Sequence, residues 1–293
     1  MKYESGGAFR RALEKRLRDL SLQSGVALNR LRKMVAFDRF LARLIQGQPD
    51  RWVLKGGLAL QLRLGERART TKDLDVLAFT QAQDVTKDLR EVGRLDLGDW
   101  FSFEIADPTS RPATGFGGIR HSIQALLDSR TFEKFHIDVG VGDPLVEAVE
   151  YLSTPALLDF AGLPPTRVPC YPITQQIAEK LHAYTRPHKT GESSRVKDFV
   201  DILLLAELGK IAGERTRSAI QATFSAMGTH PIPTIIPPPP ENWEREFQHT
   251  AKSLGLENLT LTRAYEFIQA FLDPILMQES VGEWDPKKRT WRR

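Results

Sequence analysis

Apolar residues recur every three or four positions at the start of the chain: Phe9, Leu13, Leu17 and Leu20, then Leu31, Met34, Leu41 and Ile45. That period puts each set on one stripe of a helix, and Ser24-Gly25 divides the two. The stripes predict ordinary core contacts, with the interleaved arginines facing outwards. A turn at 46–51, carrying Gly47 and Pro49, leads to a short apolar run at 52–54 and an amphipathic segment at 58–64. Beyond it the period shortens. A strand starts at Asp73, a helix is expected over 81–91, and strands over 100–105, 119–127 and 132–141. In the first of these three strands Phe101, Phe103 and Ile105 alternate onto one face. Residues 107–118, rich in Pro, Gly, Ser and Thr, read as a loop. Strands with so few helices between them predict a mixed sheet rather than a long parallel one.

Helical periods return after Pro172, over 173–184, 195–208, 243–253 and 259–277, with a polar turn at 186–194. Residues 229–241, THPIPTIIPPPPE, hold too much proline for a helix or a central strand and read as a stiff surface connector. The tail, with Trp284, Trp291 and several basic residues, is expected to fray. An α+β chain in two parts follows, a sheet-bearing domain over 1–165 and a helical domain over 166–293, with no internal repeat.

Composition narrows the class. The 293 residues are 41% hydrophobic and 27% charged, as in a globular protein able to bury a large core. One cysteine, Cys170, excludes an intrachain disulfide and any metal cluster of the cysteine type. Neither an apolar run of membrane-spanning length nor a signal-peptide core is present, which predicts a cytoplasmic protein without a membrane partner. Net charge is +4, but the basic residues cluster: Arg10, Arg11, Lys15, Arg16 and Arg18 in the first helix, Arg30, Arg32, Lys33, Arg39 and Arg43 in the second. Two readings stand here, a nucleic-acid partner and solvated helix faces.

The stretch KGGLALQLRLGERARTTKDLDVLAF, residues 55–79, concentrates the candidate chemistry. Gly56 and Gly57 let backbone N–H groups approach an anion at the start of a helix. Asp73 and Asp75, two apart on a strand, project the same way. Aligned carboxylates near a phosphate cradle suit Mg²⁺, which takes oxygen ligands together with substrate phosphates. Each part alone also fits a turn and a solvated strand end. Asp138, between Ile137 and Val139, is costly in an apolar strand unless it is paired, metal-bound or at a wet strand end. His136, two residues earlier, reads as structural. Lys180 on the helix ITQQIAEKLHAY, and Asp198 and Asp201 one turn apart on RVKDFVDILLLAEL, fit either surface ion pairs or a triphosphate-binding group.

Together KGGLALQLR, RTTKDLDV, FHIDVGV, IAEKLHAY and RVKDFVDILLL, in this order over about residues 50–210, resemble the AbiEii-type nucleotidyltransferase toxins of type IV toxin–antitoxin systems and the related mycobacterial MenT toxins. The resemblance implies a DNA polymerase β-like nucleotidyltransferase fold, with a mixed sheet and a helical C-terminal domain. It implies a Mg²⁺-dependent enzyme that transfers NMP from an NTP to the 3′ end of tRNA, blocking aminoacylation, and a cognate antitoxin as partner. By position, Gly56 and Gly57 match the phosphate-contacting turn, and Asp73 and Asp75 the metal-binding carboxylates. Lys180 matches the nucleotide-contacting lysine. Asp198 matches the acidic residue of the R-x-K-D segment ahead of Asp201, and Asp138 the third acidic position of the wider superfamily. Lys55, Arg69 and Thr71 are further nucleotide-contact candidates, and phosphorylation of Thr70 or Thr71 would place negative charge beside the triphosphate. Two departures stand out. The second glycine replaces the superfamily's serine, and the gap from Gly57 to Asp73 is wider than usual. A protein or small-molecule acceptor, and a binding module without turnover, are the alternatives.

Overall fold

The computed structural model describes residues 1–109, 118–187 and 195–292, the side chain of Glu66 excepted. Most of the loop expected at 107–118 and of the turn expected at 186–194 therefore lies outside the described residues. Two compact units emerge. The first comprises Met1–Leu62, Thr70–Gly142 and Glu150–Cys170; the second comprises Arg63–Arg69, Asp143–Val149 and Tyr171–Arg293.

The first unit opens with α1 (Gly6–Ser24) and α2 (Leu28–Gly47). Ser5 caps α1 by accepting from the Ala8 N–H, and Gly25 ends it in the left-handed conformation. Phe9, Leu13 and Leu17 are fully buried, as their period requires. Along α2 every residue from Met34 to Leu44 is buried, which no single apolar stripe would give. The expectation of outward-facing arginines fails at Arg39 and Arg43. Arg43 forks onto both oxygens of Asp99 at 3.0 and 2.7 Å and donates to the Phe101 carbonyl at 2.6 Å. Arg39 pairs with Asp38, which also accepts from the Thr154 hydroxyl and the Thr166 N–H. Buried charge is tolerated here because each guanidinium finds a carboxylate in reach.

Seven strands follow: β1 (Trp52–Lys55), β2 (Asp73–Ala78), β3 (Phe101–Ile105), β4 (Ile119–Leu127), β5 (Arg130–Val141), β6 (Glu150–Ser153) and β7 (Arg167–Cys170). Between them lie α3 (Gly56–Leu64) and α4 (Val85–Gly93). The strands form one sheet in the order β3-β4-β5-β2-β1-β7-β6. β1 runs parallel to β7 and β2 to β5, while the remaining pairs are antiparallel, so the sheet is mixed as expected. β6 and β7 are too short to announce themselves by periodicity.

The second unit contains α5 (Ile173–Thr185), α6 (Val196–Glu207), α7 (Gly213–Met227), α8 (Glu244–Ser253) and α9 (Leu261–Leu276). α5 packs on α6 and α7, and α6 packs on α8 and α9. The proline-rich connector has no regular structure but is pinned at Ile236, which is fully buried. Its N–H donates to Asp273 at 2.8 Å and its carbonyl accepts from the Tyr265 hydroxyl at 3.0 Å. The tail does not fray. Trp284 is buried and pairs with Trp291 in a two-strand hairpin, β8 (Trp284–Asp285) and β9 (Thr290–Trp291). The two indole N–H groups donate to the carbonyls of Ala206 and Phe271 at 2.9 and 3.0 Å. Aromatic area outweighs the entropy of a polar tail once both indoles have partners.

Candidate active site

β2 places its acidic residues by simple alternation. Leu74 and Val76 are buried in the core, so Asp73 and Asp75 share the opposite, partly exposed face. Register then assembles a row across four strands. Lys55 on β1 stands opposite Asp75, Asp75 beside Asp138 on β5, and Asp138 opposite Arg120 on β4. One step along, Asp73 stands beside His136. Arg120 donates from Nε and Nη2 to the two oxygens of Asp138 at 2.7 and 2.5 Å, and Nη2 also reaches Asp73 Oδ2 at 3.2 Å. His136 Nδ1 lies 3.4 Å from Asp73 Oδ1. The hydrogen bond from Arg120 to Asp138, together with the charges of Asp138, Asp73 and Asp75, raises the arginine's pKa well above its ordinary value despite its partial burial.

The glycine turn is fitted to these carboxylates. Gly56 has φ +63°, a conformation that glycine enters without the Cβ penalty, and a Cβ there would collide with the Asp75 carboxylate. Backbone and carboxylate thus touch at a point where no other residue fits. Gly57 follows as the second residue of α3. Thr71, largely buried, donates its hydroxyl to the Asp73 carbonyl at 3.0 Å and closes the turn into β2.

The second unit holds a different cluster. Lys180 Nζ lies 2.8 Å from Asp198 Oδ1 and 2.8 Å from Asp201 Oδ2. Arg69 forks onto Asp201 through Nε and Nη2 at 2.9 and 2.8 Å. Arg195 approaches the other oxygen of Asp198 at 3.4 Å. Burial would push the Lys180 pKa down, but the charges of Asp201 and Asp198 reverse this and raise it, so the ammonium stays protonated. Burial would likewise raise the Asp201 carboxyl, and Lys180 and Arg69 hold it below its ordinary value instead.

Each sequence candidate can now be placed. Asp73, Asp75, Asp138, Gly56 and Lys55 gather on the sheet of the first unit, and Lys180, Asp198 and Arg69 gather in the second. Sequence reasoning missed Arg120, because a lone arginine opening a strand carries no motif and only strand register brings it to the acids. Asp198, ahead of Asp201 in the sequence match, is also buried, and Asp201 is the fully buried member and binds two cations.

Comparison with known proteins now decides the family. Residues 39–276 match the family described as nucleotidyl transferase AbiEii toxin, type IV toxin–antitoxin system. The chain belongs to the AbiEii nucleotidyltransferase toxin family. The nucleotidyltransferase toxin MenT4 (Rv2826c) of Mycobacterium tuberculosis H37Rv is similar in fold, with TM-score 0.56 at 19% identity, covering 92% of this chain and 99% of that one. An antigenic nucleotidyltransferase-like protein from Paracoccidioides brasiliensis, at 15% identity, covers 67% of this chain and 92% of its own with TM-score 0.41, too slight a likeness to carry weight. No curated protein matches. The mixed sheet and helical second part are thus those of a nucleotidyltransferase fold, and membership of an AbiEii type IV system implies an antitoxin partner. No helix among the described residues is long and apolar enough to cross a membrane.

AbiEii membership implies an NTP substrate and, typically, a divalent metal. Among the described residues no three His, Cys, Asp or Glu side chains are gathered as a metal-holding group of their own. The donor set on β2 nonetheless fits the group. Asp73 and Asp75 present hard carboxylate oxygens on one partly exposed face, and Mg²⁺ commonly takes one or two carboxylates with the rest of its shell from substrate phosphates and water.

Proposed function

We propose that this AbiEii-family protein transfers a nucleotidyl group from a nucleoside triphosphate to the 3′ end of tRNA, so that the capped tRNA is not aminoacylated. The observation that carries the reading is the pair Asp73 and Asp75, side by side on β2, with the Asp75 carboxylate seated against the positive-φ turn at Gly56. Mg²⁺ held by Asp73 and Asp75 would supply Lewis-acid stabilisation to charge developing on the reacting phosphate.

Every other role falls to the chain. The backbone N–H groups at Gly56 and Gly57, at the start of α3, receive phosphate oxygens. Lys55, opposite Asp75 in β1, adds positive charge, and Thr71 keeps the entry to β2 in place for the acids. In the second unit Lys180 is held charged by Asp198 and Asp201, and Arg69 steadies Asp201 as a positioning residue. The ribose 3′-hydroxyl of the acceptor attacks the α-phosphorus, the bond to the β-phosphate oxygen breaks, and pyrophosphate leaves. A side-chain nucleophile is unnecessary. Exposed Arg11, Lys15, Arg16 and Arg18 on α1 support an RNA acceptor, since such a face neutralises phosphates without reading bases.

Incubation with total tRNA and each labelled NTP in turn tests the reading. Label should enter tRNA, and Asp73→Asn or Asp75→Asn should lower incorporation about a thousandfold or more while leaving the melting temperature nearly unchanged. Full incorporation by either variant, or label entering protein or small-molecule pools instead of tRNA, would overturn it.

A further inference from the structure

The geometry points to Arg120 as an internal counter-ion of the carboxylate row that competes with a divalent cation for Asp73. The inference rests on the reading of Asp73 and Asp75 as metal-holding residues.

Three carboxylates meet here on two neighbouring strands, Asp73 and Asp75 on β2 and Asp138 on β5. Adjacent strands lie about 4.8 Å apart, so acids in register repel one another unless a cation sits among them. Arg120 supplies one such cation. It engages both oxygens of Asp138 and, through the same Nη2, one oxygen of Asp73. The contacts are unequal. Asp138 is held by two short hydrogen bonds of 2.7 and 2.5 Å, Asp73 by a single longer one of 3.2 Å. A fork that is bidentate on one carboxylate and monodentate on another gives up the second more readily. Asp138 is therefore the anchor of Arg120, and Asp73 is the oxygen donor it shares.

A divalent ion on Asp73 would face the guanidinium at close range. Two like charges, one of them double, disfavour each other at about 4 Å by a factor of about thirty in affinity even with the screening of bulk water. Arg120 thus weakens metal binding to the free protein. A nucleotide arriving with its own metal brings compensating negative charge, toward which the guanidinium, still tied to Asp138, can turn. Side chains of Arg120, Asp73 and Asp138 are 23%, 34% and 30% exposed, which leaves room for that exchange.

The test is a Mn²⁺ titration of the full chain without nucleotide, followed by calorimetry and by the paramagnetic resonance of free Mn²⁺. Arg120→Gln should bind Mn²⁺ about thirtyfold more tightly than wild type. Arg120→Met, which likewise removes the charge, should shift in the same direction and stands in if the first variant does not fold. Asp138→Asn, which leaves the arginine to Asp73 alone, should bind no more tightly than wild type. Unchanged or weaker Mn²⁺ binding by a folded Arg120 variant overturns the inference and leaves the proposed function standing. Absence of Mn²⁺ binding by wild type, with and without NTP, overturns both.

Discussion

On the sheet of the first unit, Asp73 and Asp138 are about a third exposed and share Arg120, whereas on α5 and α6 of the second unit Asp201 is wholly buried and grips two cations at once. The two clusters use the same residue types to different ends. Where water reaches, an ion pair is worth little and its members can change partners. Where water is excluded, each charge depends on the others, and removing one strands the rest. The sheet cluster is therefore suited to admit a ligand, and the helical cluster to hold a lysine charged and still.

The comparison is most open to attack at Asp201. Asp201→Ala leaves Lys180 and Arg69 with one anion fewer in a buried setting, and should cost about 3–5 kcal/mol. Denaturant unfolding measures it, against Asp73→Asn, which should cost under about 1 kcal/mol because its carboxylate is partly wet. Equal losses would erase the distinction. A smaller effect is expected at Gly56. Gly56→Ala combines strained backbone with a collision against Asp75 and should cost about 2–3 kcal/mol, together with most of the activity. Gly25→Ala is the control, since Gly25 has φ +73° but open space around its missing Cβ, and should cost about 1 kcal/mol with activity intact.

The smallest effect concerns pH. His182 on α5 is nearly buried, with Nε2 2.7 Å from the Thr229 hydroxyl and its ring 4.6 Å from that of His230. Burial first, then the neighbouring His230 and Arg186, lower its pKa to about 4. The folded protein then binds fewer protons than the unfolded chain between about pH 4 and 6.5, so its stability rises with pH across that window. The contribution is complete above about pH 6.5 and is lost as pH falls towards 4. Between pH 7.5 and 5.5 wild type should lose about 1 kcal/mol from this residue, and His182→Gln should show a flatter pH profile. An identical profile would remove the residue from the account.

How far these clusters could be read beforehand follows from the reach of the signals. Asp-Leu-Asp at a strand start places both side chains on one face by period alone, and β2 obeys. Asp198 and Asp201, three apart on a helix, had to share a face, and both reach Lys180. Charge on a helix usually seeks water, so by sequence Arg43 faces outwards. It is buried because Asp99, 56 positions away, waits for it. A basic terminus is expected to fray, yet this one is held because Trp284 packs against Phe267 and Phe271. α7, β6 and β7 carry no comparable signal: the strands are four residues each, and α7 mixes small and polar residues along a weak stripe.

By itself the sequence determined the mixed sheet, the helical second half, the glycine turn and the acidic pair, because each rests on periods of two or three to four residues and on the conformational freedom of glycine. Only the tertiary structure decided which cation each carboxylate meets. Strand register brought Arg120 to Asp73 and Asp138, and the irregular segment ahead of β2 brought Arg69 to Asp201. Electrostatic pairing acts through space over a few ångströms, and local sequence is blind to which distant residue will arrive there.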